Sequence, residues 1–124
     1  MRLWHQDLIT KLPRQQLLGQ HRECCALRGN GWGKPHATVN YVFEHDYGCL
    51  VGYHRLVMQE MERRGYNVDP VWEDSRYRGK TAPMLSLSTA LVIPYWHPIY
   101  CEHTTQYLNE CVLNLKNKGV HICD

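Results

Sequence analysis

Leu17-Leu18-Gly19-Gln20-His21-Arg22-Glu23 sits four residues after Pro13, a residue well placed at a helix start because its missing N–H is harmless there. From that proline, Leu17, Leu18, His21, Cys24, Cys25 and Arg28 recur at spacings of three and four, which predicts an amphipathic helix with these residues on its core stripe. Glu23 falls off the stripe, on a face shared with Gln16, Gly19 and Gln20. A glycine inside a helix costs about 1 kcal/mol relative to alanine, so Gly19 points to helix packing or to the approach of a ligand beside Glu23.

Further helices follow from the same periodicity. Val39, Val42 and Phe43 suggest a short one. Leu50, His54, Val57, Met58 and Met61 form an apolar stripe that ends at Arg63-Arg64 and a C-terminal Gly65. Leu108, Cys111, Val112 and Leu115 mark a last helix, with Lys116 and Lys118 near its end and Gly119 closing it. The run Leu85-Ser86-Leu87-Ser88-Thr89-Ala90-Leu91-Val92-Ile93 reads as a strand or a short helix, and its period does not separate the two. The expectation is an all-α fold: one domain over residues 1–124, an irregular array of three to four helices with long loops.

Composition narrows the function classes. With 124 residues, 44% apolar and 21% charged, the chain is an ordinary globule able to bury a core. No apolar run approaches the length of a membrane span, and residues 1–12 lack the pattern of an export signal, so a cytoplasmic protein is expected. The net charge of +2 is too mild to indicate nucleic acid by itself. The basic residues cluster, however: Arg63, Arg64, Arg76, Arg78 and Lys80 make either a solvated surface or a phosphate-contacting patch. The Gly29–Pro35 loop lacks the nucleotide-triphosphate pattern, yet its glycines and Lys34 would let backbone amides approach a phosphate. The six cysteines show no paired spacing and read as reduced, small apolar residues.

Gln15 through Glu23, then His36-Ala37-Thr38-Val39 and Gln59-Glu60-Met61-Glu62-Arg63-Arg64-Gly65-Tyr66-Asn67-Val68, resemble in order two blocks of the pyrimidine-dimer DNA glycosylases of the phage endonuclease V type. The likeness covers residues 2 to 68. It implies a repair glycosylase with abasic-site lyase activity, acting on damaged or abasic double-stranded DNA with no metal or other cofactor and no obligatory protein partner. Its nucleophile is an N-terminal amine that attacks the sugar C1′ and forms a Schiff base. An α-amino group, whose pKa is about 7.7–8.0, is substantially neutral at physiological pH and needs no desolvated pocket to react.

By that resemblance Glu23 matches the catalytic glutamate and Arg22 the DNA-contacting arginine before it, while Arg2 matches the arginine after the nucleophile. The chain departs from the family at its start. Arg2 is bulky, so Met1 is expected to be retained and to supply the amine, one residue further from Glu23 than in the family pattern. The family's next arginine is Ala26 here, with Arg28 as its stand-in. The DNA contacts expected are therefore Arg2, Arg22, Arg28, Lys34, Arg78 and Lys80, with Met1 and Glu23 catalytic. Two other functions are weighed against this one. The same helices would serve as a non-catalytic nucleic-acid-binding module, or His97, Cys101 and His103 would hold a metal.

Overall fold

A computed structural model of the chain describes residues 2–122. Among them run three α-helices, α1 (Arg14–Arg28), α2 (Tyr47–Arg63) and α3 (Thr105–Asn117), with 3-10 turns at Gln6–Leu8, Asn40–Glu44 and Pro70–Glu73, and no strand. The fold is all-α. No helix among the described residues is long and apolar enough to cross a membrane.

Side chains next to the helix starts fix two of the three beginnings. The Asp46 carboxylate accepts from the Gly48 N–H at 2.7 Å, and the Thr104 hydroxyl accepts from the Tyr107 N–H at 3.1 Å. At the end of α2 the chain turns left-handed at Gly65, φ +83°, and Tyr66 N–H closes back on the Met61 carbonyl at 2.9 Å, as the expected C-terminal glycine requires. Gly48 has a different duty: a Cβ there would lie 2.1 Å from the Val92 carbonyl, so only glycine lets the 92 segment cross the start of α2.

One apolar core joins the chain start to all three helices. It holds Leu3, Trp4, Leu8 and Leu12 from the N-terminal segment, Leu17, Cys24 and Leu27 from α1, Leu50, Tyr53, Val57 and Met61 from α2, and Cys111 and Leu115 from α3. Each such aliphatic side chain contributes about 1.5–3 kcal/mol by leaving water. The buried face of α1 is Leu17, Gln20, Cys24, Leu27 and Arg28, with Leu18, His21 and Cys25 half-buried on its flank. The stripe is thus rotated from the expected one, and it brings a glutamine into the core.

Arg28 is a correction to the sequence reading. Its guanidinium is fully buried, beyond reach of a DNA phosphate. Nη1 donates to the Trp72 carbonyl (3.0 Å) and to His54 Nδ1 (3.1 Å), and Nη2 donates to the carbonyls of Asp74 (2.7 Å) and Tyr77 (2.9 Å). The Trp72 ring lies 5.0 Å away. Residues 72–77 therefore wrap a cation whose charge is met by carbonyl dipoles, a neutral imidazole and a π-face. The basic segment after it is similarly occupied: Arg78 donates from Nε to the Arg28 carbonyl (2.8 Å) and from Nη2 to that of Gly29 (3.1 Å), finishing the end of α1.

Residues 85–93 are neither strand nor helix. They run as irregular chain, held where Arg76 donates to the carbonyls of Ser86 and Thr89. The alternating pattern had no partner strand to pair with.

Arg28→Met should leave the three carbonyls without their donor and cost on the order of 3–5 kcal/mol. Urea unfolding measures this, and a loss below about 1 kcal/mol would show that Arg28 does not organise residues 72–77.

Candidate active site

Residues 2–4 belong to no helix or sheet, so their backbone groups need partners from elsewhere. Side chains of all three helices supply them. Glu23 Oε2, on α1, accepts from the Arg2 N–H at 3.3 Å. Gln20, also on α1, donates from Nε2 to the Arg2 carbonyl at 3.0 Å, and its Oε1 accepts from the Trp4 N–H at 2.7 Å. Tyr53, on α2, donates to the Trp4 carbonyl at 2.6 Å, and Tyr107, on α3, donates to the Leu3 carbonyl at 2.6 Å. Burial and the neighbouring Cys111 push the Tyr107 phenol up to about 12, so it stays a donor.

Cations collect around this start. The Arg2 guanidinium lies 5.8 Å from both the Trp4 and Tyr107 ring centres, and Lys118 Nζ lies 5.4 Å from Trp4. Arg22, next to Glu23, is exposed and lines a groove of about 360 Å³ with Arg14, Gln15 and Leu18. Gly19 lies under it: the nearest heavy atom to a Cβ there would be Arg22 Nη2, at 3.6 Å, and nothing of another helix comes within 4 Å. Met1, the expected nucleophile, lies outside the described residues, and the Arg2 nitrogen is the next one along the chain.

The structure thus brings Arg2 and Glu23 together, while Arg22, next to Glu23 in α1, turns its side chain to the groove of Arg14, Gln15 and Leu18. Arg78 is anchored at the end of α1, six residues beyond Glu23, or roughly 9 Å along the helix. Lys34 and Lys80 are exposed on their loops. A larger cavity of about 650 Å³, lined among others by Asp7, Lys11, Gln59, Arg63 and His97, includes neither Arg2 nor Glu23. Volume alone would have chosen it; the hydrogen bonds that tie Arg2 to Glu23 and Gln20 select the Glu23 region instead.

Matching the described residues 2–68 and more, a family model described as pyrimidine dimer DNA glycosylase covers residues 1–74. The chain belongs to that family. No curated protein and no solved structure matches it. Membership makes this a DNA repair glycosylase at the level of the family, with DNA as the substrate. Within the glycosylase-matched segment lie Arg2, Trp4, Gln20, Arg22, Glu23 and Tyr53, whereas Tyr107 and Lys118 lie outside it.

The metal reading of His97, Cys101 and His103 is corrected by their placement. His97 pairs with Asp7 at 2.7 Å, Cys101 donates to Glu102 at 3.4 Å, and His103 bonds the Tyr41 hydroxyl at 2.8 Å. Two other groups among the described residues cluster their donor atoms, His45-Cys101-Glu102 and His21-Cys25-His54. In the second, Arg28 donates to His54 Nδ1, so His54 Nε2 carries the hydrogen and gives it to His21 Nδ1 at 2.8 Å. Burial pushes the Cys25 thiol up to about 11. As expected, His54 is a hydrogen-bonded core residue.

Sequence reading missed Gln20, Tyr53, Tyr107 and Lys118 as site residues. Gln20 had one signal, its place three residues before Glu23; the others come together only through the fold.

The buried histidines predict an acid limit to stability. Burial, then His5, pushes His103 down to about 3, and burial, then Arg28, lowers His54 strongly. Unfolded, each takes up a proton near pH 6.5, which the native state refuses, so stability is full above that pH and falls below it. By pH 5 the loss should be on the order of 1–2 kcal/mol per histidine. His103→Gln should flatten the decline in urea midpoints between pH 7 and 5; an unchanged slope would refute the assignment.

Proposed function

We propose that this glycosylase also cleaves the strand, acting on damaged pyrimidines and abasic sites through its N-terminal amine, as one unit over residues 1–124. The observation that carries this reading is the Arg2 N–H held 3.3 Å from Glu23 Oε2. Consecutive Cα atoms are about 3.8 Å apart, so the nitrogen that Glu23 holds is one residue along the chain from the proposed amine. Its neutral form attacks C1′; the N–C1′ bond forms as the bond to the base breaks, and the departing base takes a proton. Ring opening gives the Schiff base. Loss of a C2′ proton then expels the 3′ phosphate, and water releases the amine.

Glu23 stabilises the positive charge that develops on the sugar, an electrostatic contribution available because the carboxylate is already in place. Arg2, Arg22 and Lys118 meet the phosphates beside the reacting nucleotide, with Lys34, Arg78 and Lys80 as further contacts. Arg28, being buried, takes no part. The nucleotide must leave the stack to reach an amine so close to a helix surface.

Borohydride should trap a covalent adduct on an abasic duplex, and peptide mapping should place it at the N-terminal residue. Glu23→Gln should lower the trapping rate at least 100-fold while keeping DNA affinity. A protein carrying extra residues before Met1 presents an amide there instead of an amine; cleavage by it at the untagged rate would rule the mechanism out.

Arg22→Ala and Lys118→Ala should each reduce the slope of log affinity against log salt by about one, with Arg28→Lys as a control that leaves it unchanged. Anisotropy titrations between low and moderate salt test this, and slopes equal to wild type would remove both residues from the interface.

A further inference from the structure

We infer that Gln20 is the positioning residue of this site: its side-chain amide fixes the register in which the start of the chain lies against Glu23. Its exposure is 1%, on the core face of α1, where an apolar residue would be expected. Every hydrogen-bonding capacity of the amide is engaged. Oε1 accepts from the Trp4 N–H at 2.7 Å and lies 3.0 Å from the Tyr53 hydroxyl, which shares its proton between this oxygen and the Trp4 carbonyl. Nε2 has two hydrogens: one goes to the Arg2 carbonyl at 3.0 Å, the other to Glu23 Oε2 at 3.2 Å.

The two ends of the amide are not interchangeable. The oxygen end faces donors, and the nitrogen end faces a carbonyl and a carboxylate that can only accept. A glutamine therefore fits where a glutamate, nearly identical in shape, would set lone pairs against lone pairs at Arg2 and Glu23. Gln20 also contacts both partners whose separation matters, the backbone at Arg2 and the oxygen at Glu23 that holds the Arg2 nitrogen. A slip of the N-terminal segment by one residue would break its bonds to Arg2 and Trp4 together and carry the chain's nitrogens about 3.3 Å along α1. Gln20 acts on the reaction through Glu23 and the chain start, so its role rests on the amine mechanism proposed above.

The test compares Gln20→Glu with Arg28→Lys, each shown to be folded by circular dichroism, in single-turnover borohydride trapping on an abasic duplex. Gln20→Glu should lower the maximal trapping rate at least tenfold while the DNA concentration giving half-maximal rate stays within twofold of wild type. Arg28→Lys, which weakens the buried hydrogen bonds to residues 72–77 and leaves Gln20 and its partners untouched, should lower the melting temperature and keep the trapping rate within twofold. A folded Gln20→Glu protein that traps within twofold of wild type overturns the positioning role and leaves the proposed function standing. Should Gln20→Glu not fold, Gln20→Asn, one methylene shorter with the same polarity, makes the comparison; unfolding of both marks Gln20 as scaffold only and overturns the role. Wild-type protein that traps nothing removes the proposed function, and the positioning role falls with it.

Discussion

A side-chain amide buried between a helix and an irregular segment is the constraint on which the candidate active site depends. Burying an amide without partners costs about 1–3 kcal/mol by protein mutational measures, and satisfying all of it converts that liability into geometric specificity. Gln20 is such a group, and the segment it holds has no regular structure of its own. Because Tyr53 and Tyr107 complete the job from α2 and α3, the position of the chain start is over-determined by the tertiary fold. Disturbing any of the three helices therefore disturbs the site.

The segment beyond the family match supports the chain start and the candidate site within it. Residues 75–122 contribute Tyr107 against Leu3, Lys118 over Trp4, and Arg78 on the last carbonyls of α1. In the reverse direction, Arg28 of α1 reaches outward to hold residues 72–77. The two parts of the chain are thus laced together at both ends of the helix that carries Glu23. Electrostatically, Arg2 and Lys118 flank the Trp4 ring although the whole chain carries only +2, so the charge at this start is more basic than the total suggests.

What the sequence disclosed follows a physical division. Helices announce themselves by local rules, so α1, α2 and α3 were legible from periodicity, from Pro13 and from Gly65 and Gly119. Arg22 and Glu23 stood out in a local block, and Glu23 meets the Arg2 N–H. Gln20 was misplaced because a polar side chain is read as facing water, whereas Arg28 fell on the expected core stripe and was given a DNA contact only by the resemblance; the partners that make their burial tolerable lie in residues 2–4, in α2 and in residues 72–77, far along the chain. Residues 85–93 failed differently, since alternation describes a strand only where another strand can receive it. His97, Cys101 and His103 share a linear spacing, but an irregular loop sends their side chains to Asp7, Glu102 and Tyr41.

The same division bears on why the α-amine proposed as nucleophile would be workable here. A lysine would bring its nitrogen on four rotatable bonds and forfeit about 2 kcal/mol of rotamer entropy when fixed for attack. It would also need desolvation to be neutral near pH 7. A terminal amine is neutral without that help, and its freedom is limited by how firmly the next residues are held. Here Arg2 and Trp4 are bonded through both N–H and carbonyl groups, so little freedom is left beyond the terminal residue itself. The ordering that a lysine would need at the moment of reaction is supplied by folding, through hydrogen bonds that the core requires in any case. The cost of that arrangement is sensitivity to register, since a single-residue slip moves the nitrogen by about 3.3 Å, more than the tolerance of a reacting pair.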